Sequence, residues 1–273
     1  MSELPQTEHI KLERSGPVLR LWLNRPEARN AMSRQMQGEI LATFNAIRDD
    51  RSVRIVVIRG AGGTFCAGGD IKNMQKSGAP QPAEATDELR AGNRRGSSML
   101  QAINTAPQTV ISAIEGFALG GGFGLSCVSD ISIVRTDATF GLTEVTIGVV
   151  PAAISPYVVG RIGLTAARRL GVSGMRINGS QAVEIGLAHI AVPDEAAMES
   201  ELKKAINQVL KCAPGAVAET KRLMLRAAGV LEIESLQELA ADSFVRAVRG
   251  AEGREGTLAF VEKRKPNWVT TID

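Results

Sequence analysis

Two short β-branched runs, each emptying into a stretch dominated by glycine, constrain the fold of this chain more than any other feature. The first, Val53 to Ile58, ends in the loop Gly60 to Asp70 with its core Gly62-Gly63-Thr64-Phe65-Cys66-Ala67-Gly68-Gly69-Asp70; the second, Thr109 to Ile114, runs into Glu115 to Gly124 with Gly120-Gly121-Gly122-Phe123-Gly124. The first reads as a buried strand and the second as another strand. Glycine removes the Cβ and lets bare backbone N–H groups approach a ligand oxygen, so two such loops can present two donors to one oxyanion. Either loop alone serves equally well as a tight turn or a close packing contact. A dinucleotide site is disfavoured, because the third glycine of GxGxxG would fall on Leu125; GxxxxGK[ST] and GxSxG are both absent.

The rest of the chain fits an alternation of strands and helices. Val18 to Leu23 reads as a strand and Asn24 to Asn30 as a polar loop punctuated by Pro26. Ser33 caps a helix whose apolar face is Met36, Ile40, Leu41, Phe44 and Ile47. Residues Ser77 to Asp87, with Gly78, Pro80 and Pro82, are expected to form a mobile loop, followed by a helix near Leu89 to Ile103. Ile131 to Val134 and the stretch around Phe140 read as strands, and Ser155-Pro156 as a helix start, cap followed by proline. From Ser180 onward the pattern becomes helical: Glu195 to Lys211, Ala216 to Ala228, Leu231 to Val248 and Glu252 to Arg264. The expected organisation is therefore an α/β core over 1–195 and a helical oligomerisation or lid segment over 196–273. At 273 residues, 44% hydrophobic and 22% charged, the chain can build one sizeable core.

Composition narrows the chemistry. A net charge of +3, from 32 basic and 29 acidic residues, suits an anionic ligand, while the dispersed Arg and Lys argue against nucleic acid. Cys66, Cys127 and Cys212 have neither disulfide nor zinc spacing, and the N-terminus has no apolar signal core, so a reducing cytoplasm is expected. No apolar stretch is long enough to span a bilayer. With only His9 and His189 present, a His-based triad or metal site has little to draw on. Acid–base chemistry must use carboxylates. Glu144 is the most suggestive, standing in the otherwise apolar Phe140 to Gly148, where an unpaired carboxylate is costly; a helix cap or an exposed edge residue is the alternative.

Taken together, Asn24-Arg25-Pro26 with Asn30-Ala31-Met32, Phe65 to Lys72, Gly116 to Gly124, Ser129-Asp130, Phe140 to Gly148 and Ala259 to Lys265 resemble the crotonase, or enoyl-CoA hydratase/isomerase, family over nearly the whole chain. The resemblance implies a spiral of ββα repeats and a C-terminal helical segment that assembles homotrimers, often paired into hexamers as dimers of trimers. It makes the backbone N–H groups of Gly69 and Gly121 the oxyanion hole and Glu144 the acid/base. Coenzyme A, part of an acyl-CoA thioester substrate, would lie near Ala28, Arg29, Ala67, Asp70 and Ile71. Phe260 would also contact the bound thioester, and Lys72 and, from a neighbouring subunit, Lys263 would reach the phosphate end of coenzyme A, where charge-assisted bonds suit a dianion; for each lysine singly, a solvated surface charge fits as well. No metal or redox cofactor is implied. RNA binding, a second activity within this family, would require a clustered basic face.

The chain departs from the family pattern at Gly124, where two-carboxylate hydratases carry a second glutamate. One acid/base group is shared by family isomerases and by some hydratases. Gly122 to Leu125, Pro151 to Val159 and Gly256 to Phe260 resemble hydratases of 3-branched glutaconyl-CoA, those of isohexenylglutaconyl-CoA in acyclic terpene breakdown first and those of methylglutaconyl-CoA next. On this reading Gly124 opens volume near C3 for the branch.

Overall fold

A computed structural model describes residues 3–70, 83–229, 250–252, 255, 258–259 and 262–271. Its strands in chain order are β1 (Ile10–Ser15), β2 (Val18–Leu23), β3 (Ile55–Gly60), β4 (Thr109–Ile114), β5 (Phe117–Leu119), β6 (Ile131–Arg135), β7 (Thr139–Gly141), β8 (Arg176–Asn178) and β9 (Ile190–Val192). The helices are α1 (Arg34–Ile47), α2 (Ala83–Asn104), α3 (Gly121–Cys127), α4 (Ser155–Ser173), α5 (Gly179–Glu184), α6 (Glu195–Val209) and α7 (Pro214–Gly229). A six-stranded sheet has the order β1-β2-β3-β4-β6-β9, parallel except for the β1–β2 hairpin. A three-stranded sheet has the order β5-β7-β8.

The spiral follows from where consecutive strands go. β4 joins the large sheet and β5 the small one; β6 and β7 repeat the step, and each pair leads into a helix. After β3 the equivalent second strand shrinks to a single bridge between Cys66 and Ala118. The glycine-rich loops are thus the corners where the chain leaves one sheet for the other.

Every residue of β3 and β4 is buried, because the large sheet is covered on both sides. Val56, Ile58, Val110 and Ile114 face a core that includes Met36, Ile40 and Phe44 of α1. Ile55, Val57, Ile111 and Ala113 face Met198, Leu202 and Ile206 of α6, with Leu210 just beyond it. This two-sided burial explains why the strands read as unbroken apolar runs rather than alternating ones. At roughly 1.5–3 kcal/mol for each large apolar side chain, the α6 face contributes on the order of 6–12 kcal/mol as an upper bound. A helix held that firmly stays with the core sheet and does not act as a lid.

Polar contacts fix the same junction. Buried Arg59 on β3 pairs with Glu115 at 3.1 Å, Glu195 at 2.6 Å and Glu199 at 2.5 Å, with its guanidinium over the Trp22 ring. Asp130 accepts from Val110 N at 2.8 Å and from Lys221 Nζ on α7 at 2.7 Å, tying that helix to the sheet. Ser33 caps α1 as expected, accepting from Met36 N.

Two local expectations change. The loop expected over Ser77 to Asp87 gives way to helix from Ala83, since the small residues after Pro82 carry no breaker; 77–82 lie outside the described residues, as does Leu231 to Val248. The cap of α4 is Ile154 rather than Ser155, whose hydroxyl instead donates to Pro151 O. Among the described residues, no helix is long and apolar enough to cross a membrane.

Candidate active site

The two glycine-rich loops lie against each other, backbone to backbone. Cys66 N donates to Phe117 O at 2.7 Å, and Leu119 N returns to Cys66 O at 3.0 Å. Three residues on, Met32 N donates to Gly68 O at 2.7 Å and Asp70 N to Met32 O at 3.4 Å. In a parallel bridge of this kind the groups flanking Gly69 bond to Met32, so the N–H of Gly69 itself is directed to the opposite side. The approach leaves no room for side chains: a Cβ on Gly122 would stand 2.5 Å from Cys66 O, and one on Gly68 3.3 Å from Leu119 O. Cys66 lies beneath these loops as packing, since burial pushes its thiol up to about 11.

Gly120 turns the second loop into α3. Its N–H donates to Gly141 O at 3.0 Å, and its φ of +48° with ψ −111° is a conformation open to glycine. Gly121 is then the first helical residue, with an N–H that has no acceptor within the helix. Its own φ is not positive, and a Cβ there would meet nothing nearer than Met32 Cβ at 3.9 Å. The conformational demand for glycine therefore falls on Gly120.

Glu144 reaches this corner from a 3-10 turn over Glu144–Ile147 that Gly148 closes in the left-handed region. The carboxylate lies against Gly120: a Cβ there would stand 2.8 Å from Glu144 Oε1. Oε2 is buried without a hydrogen-bond partner. Burial raises the Glu144 pKa above its ordinary 4.5, and a hydrogen bond from its own backbone only partly offsets this. A half-buried, unpaired carboxylate beside the amide-bearing start of a helix can exchange a proton with a bound molecule whose oxygen faces those amides.

The residues expected to hold coenzyme A divide into those the fold gathers and those it does not. Ala28 ends a short 3-10 turn, Arg29 follows in the left-handed region, and Ala67 N donates to Arg29 O at 3.0 Å, so these three share one place. Asp70 pairs with Arg25 at 3.2 Å, which also donates to Ala31 O. Ile71, Lys72 and Phe260 lie outside the described residues. Lys263 is exposed in the C-terminal segment, whose Trp268 bonds Lys211 O and Arg54. Among the described residues no group of three His, Cys, Asp or Glu is placed to hold a metal ion.

Residues 13–271 match the family described as enoyl-CoA hydratase/isomerase. The chain belongs to this enoyl-CoA hydratase/isomerase family. Among solved structures similar to it, Pseudomonas aeruginosa AtuE is 50% identical with a TM-score of 0.92, covering 96% of this chain and all of that one. An enoyl-CoA hydratase/isomerase from Marinobacter aquaeolei is 45% identical with a TM-score of 0.92, covering 96% of this chain and 99% of the other. The carnitinyl-CoA dehydratase of Proteus mirabilis (strain HI4320) is 33% identical, over 96% of this chain and 98% of its own length. The fold is the mixed α/β crotonase fold expected from the sequence.

Within this enoyl-CoA hydratase/isomerase fold, the part played by Asn30 was not apparent from its residue type. Fully buried and in the left-handed region, it accepts from Arg25 N at 2.8 Å and donates to Ala61 O and Thr64 O at 2.8 and 2.6 Å. One side chain thereby holds the 25–30 turn to the first glycine-rich loop. Asn30→Ala removes three part-buried hydrogen bonds to backbone groups and is expected to cost about 3 kcal/mol, read as a lower urea midpoint at unchanged m. An unchanged midpoint would show that the loops hold their places without it.

Gly124 requires a correction. The space expected to receive a substrate branch is already filled by protein: a Cβ at position 124 would overlap Ile154 Cγ2, stand 3.0 Å from Ile154 Cβ and 3.7 Å from Leu100 Cδ1. The missing side chain makes room for Ile154, so a lone Gly124→Glu cannot seat a second carboxylate without displacing it.

Proposed function

We propose that this enoyl-CoA hydratase/isomerase family member adds water across the α,β double bond of a branched enoyl-CoA. The substrate favoured by the sequence resemblance is 3-isohexenylglutaconyl-CoA of acyclic terpene breakdown, with methylglutaconyl-CoA next. The observation that carries the reading is the half-buried Glu144 carboxylate, its Oε2 buried and unpartnered, against the Gly120 corner that opens α3.

In this reading the thioester oxygen accepts from Gly69 N–H and Gly121 N–H, which stabilise the enolate-like charge as it develops. Glu144 takes a proton from water as the water oxygen bonds to C3. The electron pair of the double bond moves toward the thioester oxygen, C2 then recovers a proton from Glu144, and the carboxylate is regenerated. Because one group handles both transfers, oxygen and hydrogen arrive on the same face, giving a syn-type addition. The raised pKa suits this double duty, since a carboxylate nearer neutrality both accepts and returns a proton readily. No metal or redox group enters any step.

Ala28, Arg29, Ala67, Asp70, Ile71, Lys72 and Phe260 would cradle coenzyme A, with Lys263 contributed by a neighbouring subunit of a homotrimer built through the C-terminal segment. The chain would work in a reducing compartment such as the cytoplasm, in keeping with its unpaired Cys66, Cys127 and Cys212. Relatives named for hydration or dehydration of CoA thioesters support hydration over double-bond shift.

The test is the ultraviolet absorbance of a conjugated, 3-branched enoyl-CoA incubated with the protein. Hydration bleaches it, and the wild type is expected to do so. Growth of that absorbance from an unconjugated 3-enoyl thioester, with no bleaching, would make the protein an isomerase, in which Glu144 shuttles a proton between carbons.

A further inference from the structure

We propose that Ile154 determines specificity at this site: its side chain stands where a side chain at position 124 would, and forms the apolar wall beside Glu144 against which the substituent on C3 of the substrate lies. This rests on the hydratase reading above and specifies which residue shapes the acyl end of the site.

The geometry begins with the two glycines of α3. Gly124 N donates to Gly120 O at 2.9 Å, so the two are one helical turn apart. The Cβ direction of each meets the same returning segment of chain. At Gly120 it meets Glu144 Oε1 at 2.8 Å; at Gly124 it meets Ile154 Cγ2 and Cβ. The acid/base and Ile154 therefore stand against two glycines that are one helical turn apart.

Ile154 is also held rigidly, as a wall must be. It is 5% exposed, and its carbonyl accepts from Tyr157 N and Val158 N, both at 3.0 Å, locking it to the first turn of α4. Branching at Cβ restricts χ1 further. Leu100 of α2 backs the notch at Gly124. The groups that meet position 124 are thus apolar, in accord with a water held by Glu144 and the substrate rather than by a second carboxylate. Glycine at 124 and isoleucine at 154 form one unit: each determines what the other can be.

The experiment measures hydration by wild type, Ile154→Ala, Gly124→Ala, the Gly124→Ala/Ile154→Ala double variant and Gly124→Glu/Ile154→Gly. Substrates are a straight-chain 2-enoyl-CoA and enoyl-CoAs with progressively larger 3-substituents, and each protein is also melted. Ile154→Ala is expected to shift the kcat/KM ratio of the largest to the smallest substituent by about 10-fold or more, because a few methylenes of an apolar pocket are worth that much. Gly124→Ala should lower Tm, and adding Ile154→Ala should recover part of that loss. Gly124→Glu/Ile154→Gly should move preference toward the straight chain.

If wild type and Ile154→Ala are both folded and active but share one substituent ratio, Ile154 is a packing residue and the proposal is overturned while the hydratase reading stands. If the melting temperatures of Gly124→Ala and Ile154→Ala simply add, the two residues do not share the notch and the proposal is likewise overturned. If wild type bleaches no enoyl-CoA, the hydratase reading itself fails, and the proposal with it. Should Ile154→Ala not fold, Ile154→Val carries the same ratio test with one methylene removed.

Discussion

Glu144→Gln is expected to lower kcat by on the order of 10²- to 10⁴-fold while leaving the KM for acyl-CoA within a few-fold of wild type. The amide keeps the shape of the carboxylate and its place against Gly120, but it neither accepts nor returns a proton. The same substitution should raise stability at neutral pH. Burial pushes the folded-state pKa of Glu144 above the ordinary 4.5, so the fold favours the protonated form. Its favourable contribution is fully present below the unfolded-state pKa and is lost as pH rises through the folded-state value. Wild type at neutral pH therefore holds an ionised carboxylate in a site that disfavours it, and Gln relieves this. Melting both proteins from pH 4 to 8 should show the variant ahead at pH 7 and the gap closing toward pH 4. The acid limb of the wild-type kcat/KM profile should lie above 4.5, since activity needs the ionised form. Full activity in Glu144→Gln would overturn the mechanism. Lost activity with no stability gain would mean that the carboxylate has a stabilising partner when folded.

The parts of this molecule legible in the sequence are those where a single residue type reports a physical necessity. The β-branched run of β3 indicated a buried strand, and the structure covers both β3 and β4 with α1 on one side and α6 on the other. Glycine clusters announced close backbone approach, which Gly122 and Gly68 make. Glu144 stood out because a carboxylate amid apolar neighbours has to be explained. The parts that were not legible depend on pairs of residues distant in the chain. Asn30 could not be linked to Ala61 and Thr64 without the fold. Gly124 by itself suggested open space, because nothing in the local sequence says that Ile154, from a different segment, fills it. Nor does the sequence say which of the three consecutive glycines carries the conformational demand, since Gly120, Gly121 and Gly122 look alike until their φ angles are known.

That difference between neighbouring glycines gives the second large effect. Gly120→Ala is expected to reduce kcat/KM by on the order of 10²-fold or more and to destabilise the protein, whereas Gly121→Ala should leave stability within about 1 kcal/mol of wild type. At Gly120 the backbone has φ +48° and ψ −111°, where a side chain costs roughly 1–3 kcal/mol on conformation alone. The new methyl would also stand 2.8 Å from Glu144 Oε1 and 3.3 Å from its carboxyl carbon, so the carboxylate must move. Moving it breaks the adjacency of carboxylate and helix start on which the proposed proton transfer depends, and a displacement near 1 Å can by itself cost about 100-fold. At Gly121 the φ is not positive and a methyl would meet Met32 Cβ at 3.9 Å, an ordinary contact. Because the Gly121 group proposed to face the thioester oxygen is its backbone N–H, alanine retains it. Melting curves and hydration kinetics of the two variants side by side decide the matter. A Gly120→Ala protein with wild-type kcat/KM would show that the Glu144 position against α3 is incidental to catalysis. A Gly121→Ala protein that fails to fold would place the conformational demand one residue later than the structure does.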